Sequence, residues 1–285
     1  MKSIQALNLA CPIDGDSLEC REKQFVCGNG HVFDIARQGY VNLLPVQYKR
    51  SKHPGDSKAM VSARAEYLNA GHYEPVARKL AETAFAQIDA DKETSFMDAG
   101  CGEGYYFDYL FNYLKGINAC NDVSFVGLDI SKAAIAAAAK RNRQITWVVG
   151  TNRRPPLISA SVDIVLCVFG FQSFQGFHKI LKAGGRGILV EPGPQHLMEV
   201  REIIYKDVRK SVPPDLSYLE GEGFTLLDRQ SLQYTTGLID CGQIKNLLMM
   251  TPHFYRAGRQ GREAAAQVKK LDVTVDVVLR ILERE

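Results

Sequence analysis

The apolar positions fall into short runs that alternate with helix-spaced stretches. Phe96 and Met97 close one run, and Asp98 follows directly. Gly100, Gly102 and Gly104 come next, at every second position, before a helical pattern through Tyr109, Leu110 and Leu114. A second run over 124–128 ends in Asp129, and Ser131 caps an alanine-rich helix over 132–141. Residues 145–152 and 161–169 read as a third and a fourth strand. A helix end, a glycine turn and a fifth strand follow over 181–192, and a long helix over 194–210. Upstream, Met60, Ala63, Tyr67 and Leu68 are helix-spaced as far as Gly71, and Val76, Leu80, Ala84 and Ile88 mark a helix over about 74–88. Leu271, Val273, Val275, Val277, Leu279 and Ile281 alternate as in a half-buried strand. Strands alternating with helices predict a parallel, doubly wound sheet, with the last strand as an antiparallel edge.

The chemistry gathers where these strands end. Alternate glycines let the backbone turn tightly and approach a ligand, and open α/β sheets bind ligands at the carboxyl ends of their strands. Asp98 beside that loop would repel a pyrophosphate but suits a ligand with a cationic end. Asp129, ending the next strand, suits the two hydroxyls of a ribose. S-adenosylmethionine offers both features. Asn152 is placed to frame its adenine, Tyr73 to cover its methionine end, and His196 to touch donor or substrate. Phe169, Phe171 and Phe174 offer faces for a base. Glu191 and His196 are the candidate proton acceptors. The plain alternative for the loop is a strand-to-helix turn with no ligand.

With 285 residues, 46% of them apolar, the chain has room for one large domain and a small module. A formal charge of +3 permits a nucleic-acid partner without requiring one. No apolar run suits a membrane span and no leader pattern opens the chain, so a cytoplasmic protein is expected. Seven cysteines then read as thiols or metal ligands. Cys11, Cys27 and His31 can hold zinc, with either Asp14 or Cys20 as the fourth ligand; a metal-free knuckle is the alternative. Lys49, Arg50 and Lys52, beside Tyr48, form a basic linker able to hold RNA phosphates, or simply a solvated loop.

The Asp98–Gly104 stretch resembles motif I of class I SAM-dependent methyltransferases. Further stretches resemble one family along nearly the whole chain. These are Cys11-Pro12, Cys27 to His31, Phe33 to Gln47, Lys49-Arg50-Ser51 with Pro54-Gly55-Asp56-Ser57, Ala70 to Tyr73, Gly100 to Tyr106, Pro192-Gly193-Pro194 with His196 to Glu199, and Met250-Thr251-Pro252 with Arg256. The chain is similar to the bacterial 23S rRNA (guanine-N1)-methyltransferases of the RlmA type, nearer their Gram-negative branch. The resemblance implies a Rossmann-like, seven-stranded methyltransferase sheet with a small zinc-ribbon-like N-terminal module. It divides the chain into a module at 1–42, a basic linker at 43–58 and a catalytic domain at 59–285. It implies methyl transfer to N1 of a guanine in a 23S rRNA hairpin by a homodimer whose two copies form an RNA cleft. By motif match, Tyr73, Tyr106, Phe107 and His196 inherit donor contacts, alongside Asp98, Gly100, Gly102, Gly104, Asp129 and Asn152. Cys11, Asp14, Cys27 and His31 inherit the metal. Asp14 stands where the family has its second cysteine, and the fourth strand's end lacks the family's proline. Two other readings stay open: a SAM methyltransferase for another RNA site or a small molecule, and a non-catalytic RNA-binding protein on this fold.

Overall fold

The computed structural model describes residues 3–4, 6–49, 51, 54–89, 91–117, 123–208 and 219–285. The N-terminal strands are β1 (Ser3–Ile4), β2 (Leu18–Arg21), β3 (Gln24–Cys27), β4 (Val32–Asp34) and β5 (Tyr40–Asn42). The sheet that follows contains β6 (Thr94–Ala99), β7 (Val123–Asp129), β8 (Thr146–Val149), β9 (Val162–Val168), β10 (Leu181–Pro192), β11 (Phe224–Asp240) and β12 (Lys270–Arg284). Its helices are α1 (Lys58–Asn69), α2 (Glu74–Phe85), α3 (Tyr105–Ile117), α4 (Lys132–Arg141), α5 (Phe174–Ile180), α6 (Met198–Ile204), α7 (Cys241–Met250), α8 (Pro252–Arg256) and α9 (Arg259–Gln267).

The large sheet runs in the order β11-β12-β10-β9-β6-β7-β8-β5. Strands β5 to β10 are mutually parallel, and β12 lies antiparallel between β10 and β11. The expected seven strands are all present. Two from the N-terminal segment widen the sheet to nine: β5 pairs with β8, and β1 with the start of β7. Strands β2, β3 and β4 form a separate antiparallel sheet.

Successive residues of a strand face opposite sides, which gives this sheet two cores. Phe96, Phe125, Ile164 and Ile188 belong to one, and Met97, Val126, Val165 and Leu189 to the other. The chain passes from β6 outward to β8, then returns across β6 to β9. The crevice beyond the carboxyl ends of β6 and β9 is therefore the topological switch point, where such sheets bind ligands.

The pattern missed β11 and helices α7 to α9. Most side chains of β11 are exposed, so the strand shows no clean apolar alternation. The helix expected over 194–210 begins later, at Met198, because Leu197 adopts a left-handed backbone with φ 53° as its cap.

Trp147 fixes how α3 meets the sheet. Its buried indole N–H donates to the Asn142 carbonyl at 2.7 Å. Its ring lies where a Cβ on Gly104 would stand, 2.7 Å away, with the Ala138 Cβ at 3.1 Å. Gly104 also has φ +84°, which an L side chain rarely adopts. Gly104→Ala is expected to lower unfolding free energy by roughly 2–4 kcal/mol, the sum of backbone strain and overpacking. Urea denaturation checks this; an unchanged midpoint would contradict it.

Candidate active site

A cavity of about 1060 Å³ opens at the switch point. A pocket for one small ligand commonly measures roughly 300–1000 Å³, so this one has room for a ligand and part of a second molecule. Asp98, Gly100, Gly102 and Asp129 line its floor. Register brings the two acids together, since Asp98 pairs with Gly127, two residues before Asp129.

The two carboxylates differ in their partners. Asp129 Oδ1 accepts from the Ser131 N–H at 2.7 Å and Oδ2 from the Gly102 N–H at 3.0 Å. Asp98 is fully buried, and among the described residues nothing donates to its Oδ1. Burial first, and the charge on Asp129 second, push the Asp98 carboxyl up to about 8. Burial also raises Asp129. A buried polar atom without a partner is costly. A ligand presenting a cation or N–H donor there would remove that cost.

The linker roofs this floor. Ser131 Oγ donates to the Asp56 carbonyl at 2.7 Å. Gly55 has φ +79°, and a Cβ there would stand 2.8 Å from the Ser131 Cβ and 2.9 Å from its backbone nitrogen. Arg64 of α1 pairs with the Asp56 carboxylate, donates to the Met250 carbonyl at 3.2 Å, and lies 3.5 Å from where a Gly102 Cβ would be. Gly55, Asp56 and Arg64 all line the cavity. Sequence reasoning gave Gly55 and Asp56 no place in the site, and Arg64 none; the Pro54-Gly55 turn was the available signal.

The far wall is aromatic. Phe169 follows β9 with φ 51°, a strained backbone for a bulky side chain. Its ring stacks on His196 at 5.6 Å and meets Tyr73 at 6.2 Å and Tyr106 at 6.4 Å. The Asp276 backbone N–H donates to His196 Nδ1 at 3.3 Å, so the neutral ring carries its proton on Nε2, facing Tyr73 Oη at 3.3 Å. Burial lowers His196 to about 4. A neutral ring whose only lone pair is engaged is a poor proton acceptor near pH 7. Glu191, at the end of β10, is buried between the Gln172 amide at 2.9 Å and Arg280, with which it forms an ion pair.

The cavity gathers Tyr73, Asp98, Gly100, Gly102, Tyr106, Asp129, Asn152, Glu191 and His196. Asn152 donates to the Phe171 carbonyl at 2.8 Å, which ties two wall loops together. Three expected residues do not line it. Phe107 is fully buried against Phe125 and Trp147, because α3 turns it toward the core. Gly104 serves the packing of α3 on Trp147. Phe174 is likewise buried, against Phe177 and Phe224. Lys49 is half-buried after a short 3-10 turn, Val46–Tyr48; Arg50 and Lys52 lie outside the described residues.

A second cluster lies in the N-terminal module. The ligand atoms of Cys11, Asp14, Cys27 and His31 all lie within 4.8 Å of one another. His31 Nδ1 is 3.6 Å from Cys11 Sγ, 3.3 Å from Cys27 Sγ and 2.9 Å from Asp14 Oδ2. A tetrahedral zinc ion holds its ligand atoms roughly 3.3–3.8 Å apart; both His31–sulfur distances match, the His31–Asp14 pair is tighter, and two thiols, an imidazole and a carboxylate are donor types that zinc takes. Cys20 sits exposed on β2, outside the cluster, so Asp14 takes the fourth place. Backbone donation from Asp16 holds the Asp14 carboxyl well below its ordinary range, while burial raises the Cys11 thiol.

Asp98 sets a pH dependence for the ligand-free chain. Its folded pKa, about 8, exceeds the ordinary 3.8, so its contribution to stability is complete below about pH 4 and is lost as pH rises through 8. Stability is expected to fall by on the order of a few kcal/mol across that window, with Asp129 adding in the same sense. Asp98→Asn should flatten the slope in denaturation series from pH 5 to 9. An equal slope in both proteins would contradict the placement.

Two family models match parts of the chain. The family model described as "RlmA, N-terminal", a zinc ribbon, matches residues 9–52, and the one described as "Methyltransferase domain" matches residues 97–188. A provisionally named 23S rRNA (guanine-N(1)-)-methyltransferase of Bacillus subtilis is 29% identical over 279 residues, covering 95% of each chain. One from Micromonospora griseorubida is 32% identical, covering 68% of each. The 23S rRNA (guanine(748)-N(1))-methyltransferase of Streptomyces fradiae is 33% identical, covering 67% of this chain and 66% of that one. A methyltransferase domain implies S-adenosylmethionine, and Asp98's unmatched oxygen fits its cationic end. The chain belongs to the family of 23S rRNA (guanine-N1)-methyltransferases with an RlmA-type N-terminal zinc ribbon.

Proposed function

We propose that this chain methylates N1 of a guanine in a 23S rRNA hairpin. One observation carries the reading: two carboxylates at neighbouring strand tips, one with an unmatched buried oxygen, floor a cavity whose far wall is aromatic. When bound, S-adenosylmethionine supplies an activated methyl on its sulfonium. Asp98 holds the ammonium end, Asp129 the ribose hydroxyls, and Gly100 and Gly102 allow close approach. Tyr73, Tyr106 and His196 shape the wall toward the transferring end. N1 lies on the pairing edge of guanine, so the base must be unpaired or flipped out; Phe169 offers it a stacking face. The N1 proton must leave, and we assign its receipt to Glu191: the carboxylate keeps lone pairs beyond those facing Gln172 and Arg280, whereas the one lone pair of His196 is taken. A small-molecule role is less supported, because the linker from the N-terminal module is built into the cavity roof.

The same proposal includes zinc on Cys11, Asp14, Cys27 and His31, and a cytoplasmic enzyme. Every described cysteine is a free thiol, and no described helix is long and apolar enough to cross a membrane. It also includes the homodimer, pairing along the open edge of β11, where Leu226, Leu227 and Leu238 are exposed.

Primer extension tests the activity, because N1 methylation blocks base pairing. The protein with S-adenosylmethionine should create one reverse-transcription stop on unmodified 23S rRNA. A stop that persists unchanged in a knockout strain would contradict the reading. Glu191→Gln should lower kcat by about 10²–10⁴-fold with donor affinity retained; unchanged kcat would remove Glu191 from the role. By metal analysis, the purified chain should carry one zinc, Asp14→Ala should lose it, and Asp14→Cys should hold it longer against a chelator. A metal-free wild-type chain would contradict the zinc assignment.

A further inference from the structure

Two arginine–aromatic pairs lie on one turn beside the cavity, which Arg153, Phe171 and Tyr48 line. The Arg153 guanidinium lies 4.7 Å from the Phe171 ring centroid, and that of Arg154 lies 4.7 Å from the Tyr48 ring. Arg154 Nη1 also donates to Tyr48 Oη at 2.6 Å. Both arginines occupy the turn after β8, which the Arg154 N–H closes on the Thr151 carbonyl at 3.1 Å. The Asn152 amide ties that turn to the Phe171 loop. The platform is thus braced from three directions: the turn, the loop after β9 and the linker.

Phe171 is 56% exposed, both arginines are exposed, and among the described residues no carboxylate lies within ion-pair distance of either. A guanidinium lying over a ring leaves its outer plane for a base and its remaining edge N–H groups for phosphate, Arg154 having engaged one with Tyr48. Single-stranded nucleic acid is bound by that combination of stacking faces and backbone cations.

We infer that Arg153–Phe171 and Arg154–Tyr48 form a stacking platform for the unpaired nucleotides flanking the target guanine, with the two guanidinium edges on their phosphates. This rests on the RNA reading above and adds a docking surface to it. It also separates two tasks: the floor of the cavity binds the donor, and the mouth binds the strand.

The test measures binding of a full-length, unmodified 23S rRNA transcript at several salt concentrations, with donor affinity measured by calorimetry on the same proteins. Arg153→Ala with Arg154→Ala should weaken RNA binding at least tenfold. It should also make the slope of log K against log salt shallower by about 1.4, for two single-strand phosphates. Arg153→Lys with Arg154→Lys, the variant less disturbing to the turn, should keep the slope and still lose affinity. Phe171→Ala should lose about 5- to 100-fold at unchanged slope, the range for one stacked base. Donor affinity should hold in all three. RNA affinity and slope equal to wild type would overturn the platform, as would variants that lose donor affinity while binding RNA normally, because the pairs would then belong to the adenine. If wild type itself does not bind the transcript at low salt, the parent reading fails instead.

Discussion

A carboxylate taken out of water with one oxygen unmatched raises the free energy of the folded chain, and Asp98 is placed that way by the sheet itself. It lies one residue before the end of β6, flanked by β7 and β9, and is buried at the floor of the cavity. The fold keeps an acid where hydrocarbon would be more stable. The natural remedy is a ligand that brings a positive charge, and the cavity is built to admit one. The neighbouring glycines, the second acid and the aromatic wall take their positions from the same strand ends.

The N-terminal module is coupled to that site through the backbone. Strand β5 joins the large sheet beside β8, and the linker crosses the tip of β7, where Ser131 holds it and Arg64 clamps it to α7. The left-handed turn at Gly55 lets the linker sit this close. A metal that orders the knuckle would therefore steady one roof of the donor cavity as well as a surface for RNA. Tyr48, from the same linker, reaches the mouth, so one segment touches both ends of the cavity.

Much of this was legible in the sequence. Buried parallel strands announce themselves as apolar runs, and a strand ending in an acid beside alternate glycines locates the floor. Of the knuckle, Cys11, Cys27 and His31 were legible as a group; the choice between Asp14 and Cys20 was open from the residues, and the fold gathers Asp14. What was not legible depended on long-range geometry. Phe107 and Tyr106 are neighbours in sequence but point to core and cavity respectively, which only the placement of α3 decides. Arg64 lies 38 residues before Gly102 and reads as one more helix arginine. Arg153 and Arg154 gained meaning only when Phe171 and Tyr48 arrived beneath them. Strand β11 was hidden because an edge strand with exposed faces carries no apolar alternation.

The central claim is that the unmatched Asp98 carboxyl is the seat of the donor's cationic end. If so, binding must convert a protonated acid into a paired carboxylate. Calorimetric titration of the chain with S-adenosylmethionine at pH 7, in buffers of different ionisation enthalpy, counts the protons exchanged. The account predicts release of nearly one proton per chain, reduced to near zero in Asp98→Asn. Tight binding with no proton released, and equal affinity in Asp98→Asn, would contradict it.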